Sequence, residues 1–418
     1  MQNPLKQITP KDIKRSLLMA LWFMFLTFPI MVIKVNTITD TVEWRWINMF
    51  IVGAATFIFS HVWKVLIDRK EGRMAAAEEP EKKAEKVTLR ERLEEKPAIV
   101  KTGSLVILGL AVLFPIMTGM YQTSIMITAL LYVVLALGLN IIVGLGGLLV
   151  LGYIVFYGVG AYTYAILNYH FGLNFWLALP LGGIFAMALG ILIAIPVLRL
   201  RGDYLAIVTL AFGEIFRIVM ENWNALSFGP SGIANIPRPT IFGLDFNLKQ
   251  STNLTYYIIL VFVVLTIFIV RRLEDSRLGR AWVAMREDEI AGESMGIDMG
   301  KTKLAAFALS TFWAGVAGVI FAGKTTFINP ASFTMWESIL VLCMVVLGGM
   351  GSIPGVITGA LIITLLPEYL RAFSEYRMLI FGAILVIMMV FKPEGMIPAI
   401  RQKYEFKLNT GKNRKGVK

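Results

Sequence analysis

Long apolar segments separated by short polar stretches run through most of the chain. An α-helix that crosses a membrane needs about 20 mostly apolar residues, and twelve segments approach that length. Glycine-rich stretches near 144–160 and 347–359 would form half-helices or re-entrant segments, which would lower the number of spans to ten. The pattern predicts an all-α fold, a polytopic membrane helix bundle with about 10–12 transmembrane helices. The predicted spans cover residues 17–33, 47–67, 103–121, 123–143, 145–168, 174–198, 203–220, 255–270, 304–322, 337–350, 352–370 and 376–391.

Charged segments divide the chain into four parts. The stretch 68–101 is rich in Glu and Lys, and we interpret it as a charged linker. It separates an N-terminal module of two spans, 1–67, from the main transmembrane domain, 102–397. That domain contains a long charged loop, 271–303, and a basic tail, 398–418, follows the domain. The longest stretches outside the spans have about 35 residues, which is too short to bury the core of a soluble domain.

The composition supports a membrane protein. Of 418 residues, 57% are hydrophobic and 16% are charged, and the mean hydropathy is +0.70, whereas soluble domains contain about 45–50% apolar and about 25% charged residues. The net charge of +12 would suggest nucleic acid as the partner of a soluble protein, but in a membrane protein such an excess is typical of cytoplasmic loops. With twelve alternating spans, the N-terminus, 64–101, 271–303 and the C-terminal tail lie on one side. We therefore predict a multi-pass protein with both termini in the cytoplasm, in contact with membrane lipid and without a nucleic-acid partner.

No residue constellation for catalysis or metal binding presents itself. Cys343 is the one cysteine, which excludes a disulfide framework and a cysteine-ligated metal, and His61 and His170 are far apart in the sequence. Neither a Ser/His/Asp order nor an HExxH motif is found. We therefore predict a transport subunit rather than an enzyme, with no cofactor and no metal.

The stretch Gly318–Thr325 matches the phosphate-loop pattern G-x-x-x-x-G-K-[ST] letter by letter. That loop needs a buried strand before it and a helix after it in a soluble α/β domain, so that backbone N–H groups surround the phosphates. Here the glycines lie at the end of an apolar helix, and the predicted topology puts Lys324 on the side away from cytoplasmic ATP. We predict no nucleotide site at this position.

A second short motif allows an alternative hypothesis, that the chain is a secondary transporter. The segment Arg277-Leu-Gly-Arg280, after Asp275, is similar to a loop motif of major-facilitator transporters. It lacks the full pattern, and no second copy lies half a chain away, as two parallel halves would require. An ion- or proton-coupled secondary transporter of small organic solutes is therefore the alternative hypothesis, and a membrane anchor without transport is the third.

Polar side chains inside the predicted spans are costly in lipid. Glu214 and Arg217 lie three residues apart and so on one face of a helix. An internal ion pair is the simplest interpretation; the functional one is that this face, with Thr209, lines the passage or a subunit interface. Asn140 and Ser310 are weaker candidates, because a lone polar side chain in a membrane helix usually forms an interhelical hydrogen bond.

Gly351, Gly355 and Gly359 recur at every fourth residue, so that they lie on one helical face. Small residues let helices approach closely in lipid, which favours tight helix packing, with a flexible gating element as the alternative. Pro354 interrupts this run and would break the helix.

The loop 271–303 is the most informative segment outside the spans. Its charge pattern permits a short helix over about 286–295, with three acidic residues in the first turns, where the helix dipole favours them. Ala291 and Gly292 keep the middle of that helix small, so that a partner can approach. Gly296 suits the end of the helix.

A resemblance to a known family rests first on Arg286-Glu-Asp-Glu-Ile-Ala-Gly-Glu293-Ser-Met-Gly296-Ile297. This segment resembles the cytoplasmic coupling loop of branched-chain amino-acid ABC importers. It fits the looser E-A-A-x-x-x-G pattern of bacterial ABC permeases in part, since Ser294 stands where alanine is usual. Further blocks within 120–397 are similar to the LivM-type permease subunits of these importers and follow the expected order. They are Tyr204-Leu-Ala-Ile-Val-Thr-Leu-Ala-Phe-Gly-Glu214-Ile, Gly229-Pro-Ser-Gly232-Ile, Asn329-Pro-Ala-Ser-Phe333, Val346-Leu-Gly-Gly-Met-Gly-Ser352-Ile and Phe391-Lys-Pro-Glu-Gly395.

The resemblance implies an ABC importer permease architecture in a bacterial inner membrane and the import of leucine, isoleucine and valine. The chain would pair with a second, LivH-type permease subunit, with two cytoplasmic ATPases that hydrolyse ATP, and with a periplasmic binding protein. Closure of the ATPases would be transmitted through the loop helix and would switch the passage between outward- and inward-facing states. The docking residues that the resemblance implies are Arg286, Glu287, Asp288, Ala291, Glu293, Gly296 and Ile297.

Overall fold

The computed structural model contains two compact units, which divide after Val100. The residues that it describes are 10–36, 41–44, 46–47, 49–54, 56–57, 60, 97–197, 200, 202–240, 246–371, 376–392 and 395–399. Residues 68–96 of the predicted linker and residues 400–418 of the predicted basic tail lie outside these described ranges.

The first unit contains one long helix and a small hairpin. Helix α1 spans Pro10–Met31, and strands β1, Ile33–Asn36, and β2, Thr41–Trp44, pair in antiparallel orientation. Helical residues follow between 46 and 60. The hydropathy pattern predicts two helices in this region and no hairpin, because a four-residue strand is too short for alternation to distinguish it from a loop.

The rest of the described chain is helical, with a single isolated β-bridge between Ile233 and Ile328. Short helical turns lie at Ile141–Leu145, Asn224–Ser227, Gly229–Ser231 and Pro330–Ser332. The longer helices are α2 (Pro97–Met117), α3 (Met120–Asn140), α4 (Ile154–Phe171), α5 (Phe175–Val197), α6 (Asp203–Asn222), α7 (Leu248–Glu274), α8 (Arg277–Glu287), α9 (Glu289–Ser294), α10 (Met299–Thr325), α11 (Met335–Gly348), α12 (Ile353–Tyr369) and α13 (Arg377–Phe391).

Among the described residues, five helical segments are long and apolar enough to cross a membrane. Shorter apolar helices of 10–17 residues accompany them. The predicted all-α, polytopic membrane helix bundle is thereby confirmed, while the total number of spans stays a prediction. The predicted span 145–168 begins too early, since α4 starts at Ile154. The five long segments are Met120–Leu145, Phe175–Val197, Leu248–Glu274, Met299–Thr325 and Pro330–Gly348.

Helix α10 lies in the middle of the second unit and packs against α3, α4 and α5. Glycines bring these backbones together. A Cβ atom on Gly160 of α4 would overlap the carbonyl oxygen of Gly315 in α10, and a Cβ on Gly315 would overlap the carbonyl oxygen of Gly182 in α5. Such close approach matters in lipid, where van der Waals packing rather than the hydrophobic effect holds helices together. Three helices therefore meet around Gly315.

Two breaks in the helices lie against each other. After the π-helical turn Ile141–Leu145, residues 146–153 are not helical, and residues 349–352 separate α11 from α12. Oδ1 of Asn140, which is fully buried, accepts a hydrogen bond from the Gly351 N–H at 2.9 Å. Irregular backbone at membrane depth persists only where protein or a cavity satisfies its polar groups. Asn140 therefore joins the two breaks and supplies one of these hydrogen bonds.

Candidate functional site

The loop that the sequence predicts as a coupling site forms two short helices, α8 and α9, between the long helices α7 and α10. Side chains cap the starts of α8, α9 and α10: Ser276, Asp288 and Asp298 each accept backbone N–H hydrogen bonds. A cap of this kind stabilises a helix start by about 1 kcal/mol. The bond from the Lys301 N–H to Asp298, at 3.1 Å, holds the pKa of that carboxyl below its ordinary value. The local sequence therefore specifies where each helix of the loop begins.

The predicted single helix over 286–295 is wrong at its start. Arg286 belongs to α8, and the second helix comprises only Glu289–Ser294. The reason is Asp288, whose extended backbone ends α8 and whose Oδ1 caps α9. Gly296, directly behind α9, adopts a φ of +84°, which agrees with the predicted helix end.

The Arg286 side chain contacts both helix breaks. Its Nη1 donates to the carbonyl oxygen of Gly144 at 2.5 Å. A Cβ atom on Gly147 would lie 2.7 Å from Arg286 Cγ, and a Cβ on Gly351 would lie 3.3 Å from Nη1. Arg286, which the resemblance assigns to docking, therefore links the coupling loop to the membrane-spanning helices.

Two further contacts fix the loop to α10. Trp282 is fully buried, and its Nε1 donates to the carbonyl oxygen of Thr302 at 2.8 Å. Lys303 Nζ lies 2.5 Å from Glu289 Oε1, and the Lys303 side chain is only 6% exposed. Both short helices are thus attached to the same long helix. A displacement of the loop would therefore move α10 directly.

Gly292 faces the protein interior. It is buried, and a Cβ atom on it would overlap Cε of Met299 at the start of α10. The prediction that Gly292 leaves room for a partner is therefore wrong, because its small size is used for packing within the chain. Ala291, beside it, is exposed.

The outer side of the loop combines charged and apolar side chains. Ile290 is 68% exposed and Met295 is 84% exposed. Sequence reasoning did not single them out; the available signal was an apolar side chain in a helix too short and polar to bury it. Ile297 is half-buried. Of the predicted docking residues, those that are exposed are Arg286, Glu287, Asp288, Ala291, Glu293 and Gly296.

Breaking the ion pair between Lys303 and Glu289 is expected to loosen the loop. Glu289→Gln would leave the Lys303 charge buried without its partner. This should lower the free energy of unfolding by about 3 kcal/mol, the lower end for a buried ion pair, because Glu289 is 29% exposed. The thermal unfolding midpoint of the full-length chain in detergent, with limited proteolysis of the loop, measures the effect. Glu293→Gln changes an exposed carboxylate of the same helix and should leave the midpoint unchanged. Equal midpoints for the two variants would contradict the expectation.

Thr209 lies in α6 and is buried. Its Oγ1 accepts a hydrogen bond from the Leu151 N–H at 3.1 Å and donates one to the carbonyl oxygen of Ala206 at 2.9 Å. A Cβ atom on Gly152 would overlap the Thr209 carbonyl group. Thr209 therefore holds the non-helical stretch 146–153 against α6.

The predicted ion pair of Glu214 and Arg217 has a third member. Arg217 Nε lies 2.9 Å from Glu214 Oε2, and Nη1 lies 2.8 Å from Glu221 Oε2. The three side chains are 28–42% exposed in the isolated chain. Because charges facing lipid are costly, this ion group needs water or a neighbouring protein beside it.

Comparison of the sequence with known proteins identifies the family of this chain. Residues 121–389 match the family described as "Branched-chain amino acid transport system / permease component". The chain belongs to this family. This permease is 46% identical over 326 residues to the high-affinity branched-chain amino acid transport system permease protein LivM of Escherichia coli (strain K12), which covers 73% of the chain and 77% of that relative.

Two further relatives of this permease are informative. LivM of Salmonella typhimurium is 39% identical over 398 residues, covering 90% of this chain and 91% of the relative. The high-affinity branched-chain amino acid transport system permease protein LivH of Escherichia coli (strain K12) is 28% identical over 193 residues, covering 43% of this chain and 60% of the relative. No solved structure matches this permease.

The glycine run of this permease is divided between a turn and a helix. Gly351 precedes α12 and has a φ of +84°, so the prediction that it shares the helix face is wrong. Gly355 and Gly359 lie in α12, and a Cβ atom on either would overlap the backbone of α11 near Gly348. Pro354 sits in the first turn of α12 and starts this helix rather than breaking it, since its missing N–H would be unpaired there anyway.

The phosphate-loop lookalike of this permease is part of α10. A Cβ atom on Gly318 would overlap the carbonyl oxygen of Tyr157 in α4, and Lys324 Nζ donates to the carbonyl oxygen of Ser124 at 3.0 Å and to Thr128 Oγ1. The glycines serve helix packing, and the backbone N–H groups are used within the helix. This geometry is incompatible with a phosphate loop.

Proposed function

We propose that this chain is one of two non-identical permease subunits of an ATP-driven importer for leucine, isoleucine and valine. The family match and the two LivM relatives support the assignment. The lower similarity to LivH supports a second, LivH-type permease as the partner in the membrane. The alternative function is an ion- or proton-coupled secondary transporter, and reconstitution with and without the ATPases distinguishes the two.

The proposed assembly includes two cytoplasmic ATPase subunits that hydrolyse the ATP and a periplasmic binding protein that delivers the amino acid. The chain is placed in the bacterial inner membrane with both termini in the cytoplasm. The support for this orientation is that the four basic clusters fall on one side of the predicted topology, as the positive-inside rule requires.

One observation carries the proposed mechanism: the coupling loop is fixed to the transmembrane helices on one side and open on the other. Its outer surface, with Ile290, Glu293 and Met295, is the proposed contact for an ATPase. Trp282 and Arg286 connect it to α10 and to both helix breaks. Closure of the ATPases would move this rigidly attached loop and so bias the passage between outward- and inward-facing states. In this mechanism, the docking surface is completed by the exposed residues Glu287, Asp288, Ala291 and Gly296 and by the half-buried Ile297.

The ion group of α6 is proposed to face the passage or the second permease subunit, because its part-exposed charges need a polar neighbour. Thr209 contributes by fixing residues 146–153 against that helix. Gly355 and Gly359 provide close packing of α11 on α12, and Gly351 provides the turn through which the two helices could pivot.

The decisive experiment for the proposed function is reconstitution. The assembled importer, in liposomes with ATP inside and the binding protein outside, should accumulate labelled leucine, isoleucine and valine, and should stop when the ATPases are omitted. Accumulation by this chain with its permease partner alone, driven by a proton or sodium gradient, would support the secondary transporter instead.

Charging the outer surface of the loop is expected to detach the ATPases. Ile290→Asp combined with Met295→Asp replaces two exposed apolar side chains without touching the contacts to α10. We expect the amount of ATPase that copurifies with the permease pair to fall at least about fivefold, because a few apolar anchors carry most of the binding energy of an interface. Arg277→Ala, which changes an exposed side chain of α8, is the control variant and should leave copurification unchanged. Unchanged copurification of the doubly substituted protein would argue against docking at this surface.

A further inference from the structure

Among the residues that the structure describes, two half-buried charged side chains in membrane-spanning segments have no ion-pair partner. Lys324, near the end of α10, is half-buried and donates to two neutral oxygens, those of Ser124 and Thr128. Glu337, in the first turn of α11, is half-buried and accepts a hydrogen bond from the Tyr132 hydroxyl. An ionisable residue at membrane depth is costly, so that its presence there points to a function.

The two charges are attached to neighbouring turns of one helix. Thr128, which binds Lys324, and Tyr132, which binds Glu337, are four residues apart on α3, which corresponds to a rise of about 6 Å along the helix. Ser124 lies one turn further on. A cation and a carboxylate are thus held by successive turns of α3, each by neutral groups.

Aromatic rings lie beside this pair of charges. The ring of Tyr157 is 5.2 Å from that of Phe321 and 5.8 Å from that of Phe333, between centroids. Phe321 precedes Lys324 by three residues in α10, and Phe333 precedes Glu337 by four residues. The rings provide an apolar surface next to the two charged groups.

A helix break reaches the same place. The N–H of Ile154, where α4 begins after the non-helical residues 146–153, donates to Ser338 Oγ at 3.0 Å, and Ser338 follows Glu337 directly. Transport sites in membrane proteins commonly form where a helix is discontinuous, because the broken end exposes polar backbone at membrane depth. The break that Arg286 connects to the coupling loop therefore also borders Glu337.

We propose that Lys324 and Glu337 form a transient binding site for the zwitterionic part of an α-amino acid, with Lys324 Nζ taking the carboxylate and Glu337 taking the ammonium group. The aromatic rings of Tyr157, Phe321 and Phe333 face the apolar side chain. A neutral pair of charges matches a zwitterion, since the loaded site carries no net charge in a medium where a net charge is costly. Each charged group already has neutral hydrogen-bond partners in the empty site. The free energy of exchanging these partners for the substrate is therefore small, which permits release.

This inference rests on the proposed function only in that the chain moves amino acids. The test uses the assembled importer in liposomes and measures amino acid accumulated per ATP hydrolysed, with each of the twenty common α-amino acids. Lys324→Met and Glu337→Gln remove one charge each with little change in size. Lys249→Met, at the exposed start of α7, is the matched control.

We expect Lys324→Met and Glu337→Gln each to lower the ratio of amino acid to ATP at least fivefold, while the ATPase rate stimulated by the binding protein stays within twofold of the parent importer. Lys249→Met should leave both quantities unchanged. If Lys324 only tethers α10 to α3, its loss should reduce accumulation and ATP hydrolysis in parallel, and that result would overturn the proposal. So would an unchanged ratio in both variants. If Lys324→Met fails to assemble, Glu337→Gln decides alone.

The measurement distinguishes failure of the proposed binding site from failure of the proposed function. If the parent importer moves an α-amino acid other than leucine, isoleucine or valine, the proposed substrate is wrong, and the ratios measured with that amino acid still decide the site. If it moves none of the twenty, both proposals are overturned.

Discussion

Replacing Arg286 with alanine is expected to reduce amino-acid uptake by the assembled importer at least about tenfold. The lost hydrogen bond is charge-assisted and contributes about 1.5–3 kcal/mol. A change of about 1.4 kcal/mol corresponds to a factor of ten. Arg286 Nη1 bonds the carbonyl oxygen of Gly144 at 2.5 Å, and its side chain packs over Gly147. The substitution removes the link between α8 and the two helix breaks and leaves the exposed apolar side chains Ile290 and Met295 in place. ATP hydrolysis should therefore continue while transport is lost.

The measurement for Arg286→Ala is leucine accumulated per ATP hydrolysed in liposomes, together with the amount of ATPase that copurifies. Arg277→Ala removes an arginine from the exposed side of the same helix and should leave both values unchanged. A ratio within twofold of the parent protein in Arg286→Ala would show that motion of the loop reaches the passage by another route, and the contact through Trp282 would be the next to test.

Replacing Gly315 with leucine is expected to prevent assembly of the second unit. A side chain at Gly315 would overlap the carbonyl group of Gly182 and the Cβ atom of Ala186, and Gly160 approaches Gly315 from the other side. Overpacking in a well-packed core typically costs about 1–3 kcal/mol, and collision with the backbones of two neighbouring helices should exceed that range. Helices α4, α5 and α10 would have to separate, and separation removes the packing that holds helices together in lipid.

The amount of monodisperse, full-length chain recovered from membranes measures the effect of Gly315→Leu, and we expect recovery to fall at least about tenfold. Gly109→Leu is the matched control, because Gly109 lies in the apolar helix α2 and a Cβ atom on it would meet nothing within 4 Å. That variant should be recovered like the parent protein. Equal recovery of the two variants would mean that the glycine junction is not needed for assembly.

The coupling loop illustrates how far sequence reasoning reaches in this protein. The acidic start of α9 and the glycine at its end were predictable, because capping and helix-dipole preferences act between residues close in the chain. The division into two helices at Asp288 was predictable in principle from the same capping preference, but the spacing of charges favoured one helix. The inward role of Gly292 was not predictable, since it depends on Met299 packing against it from another helix.

The candidate site in the membrane shows a different limit. Lys324 attracted attention for a phosphate-loop pattern that the structure does not support, whereas its contacts with Ser124 and Thr128 connect segments about half a chain apart. Glu337 carried no motif at all. The unpredicted hydrogen bond between Tyr132 and Glu337 joins residues 205 positions apart, and no spacing rule links residues at that separation.

The sequence by itself determined the apolar segments, the positions of the basic clusters along the chain, the glycine-rich breaks and the family resemblance, because each depends on composition or motifs read along the chain. Only the tertiary structure decided which of these features meet. Asn140 reaches Gly351 across 211 positions, and Arg286 reaches Gly144 across 142. Such contacts depend on which helices pack together and on where irregular backbone finds hydrogen-bond partners. Hydropathy encodes neither, because an apolar helix face that contacts lipid and one that contacts another helix have the same composition.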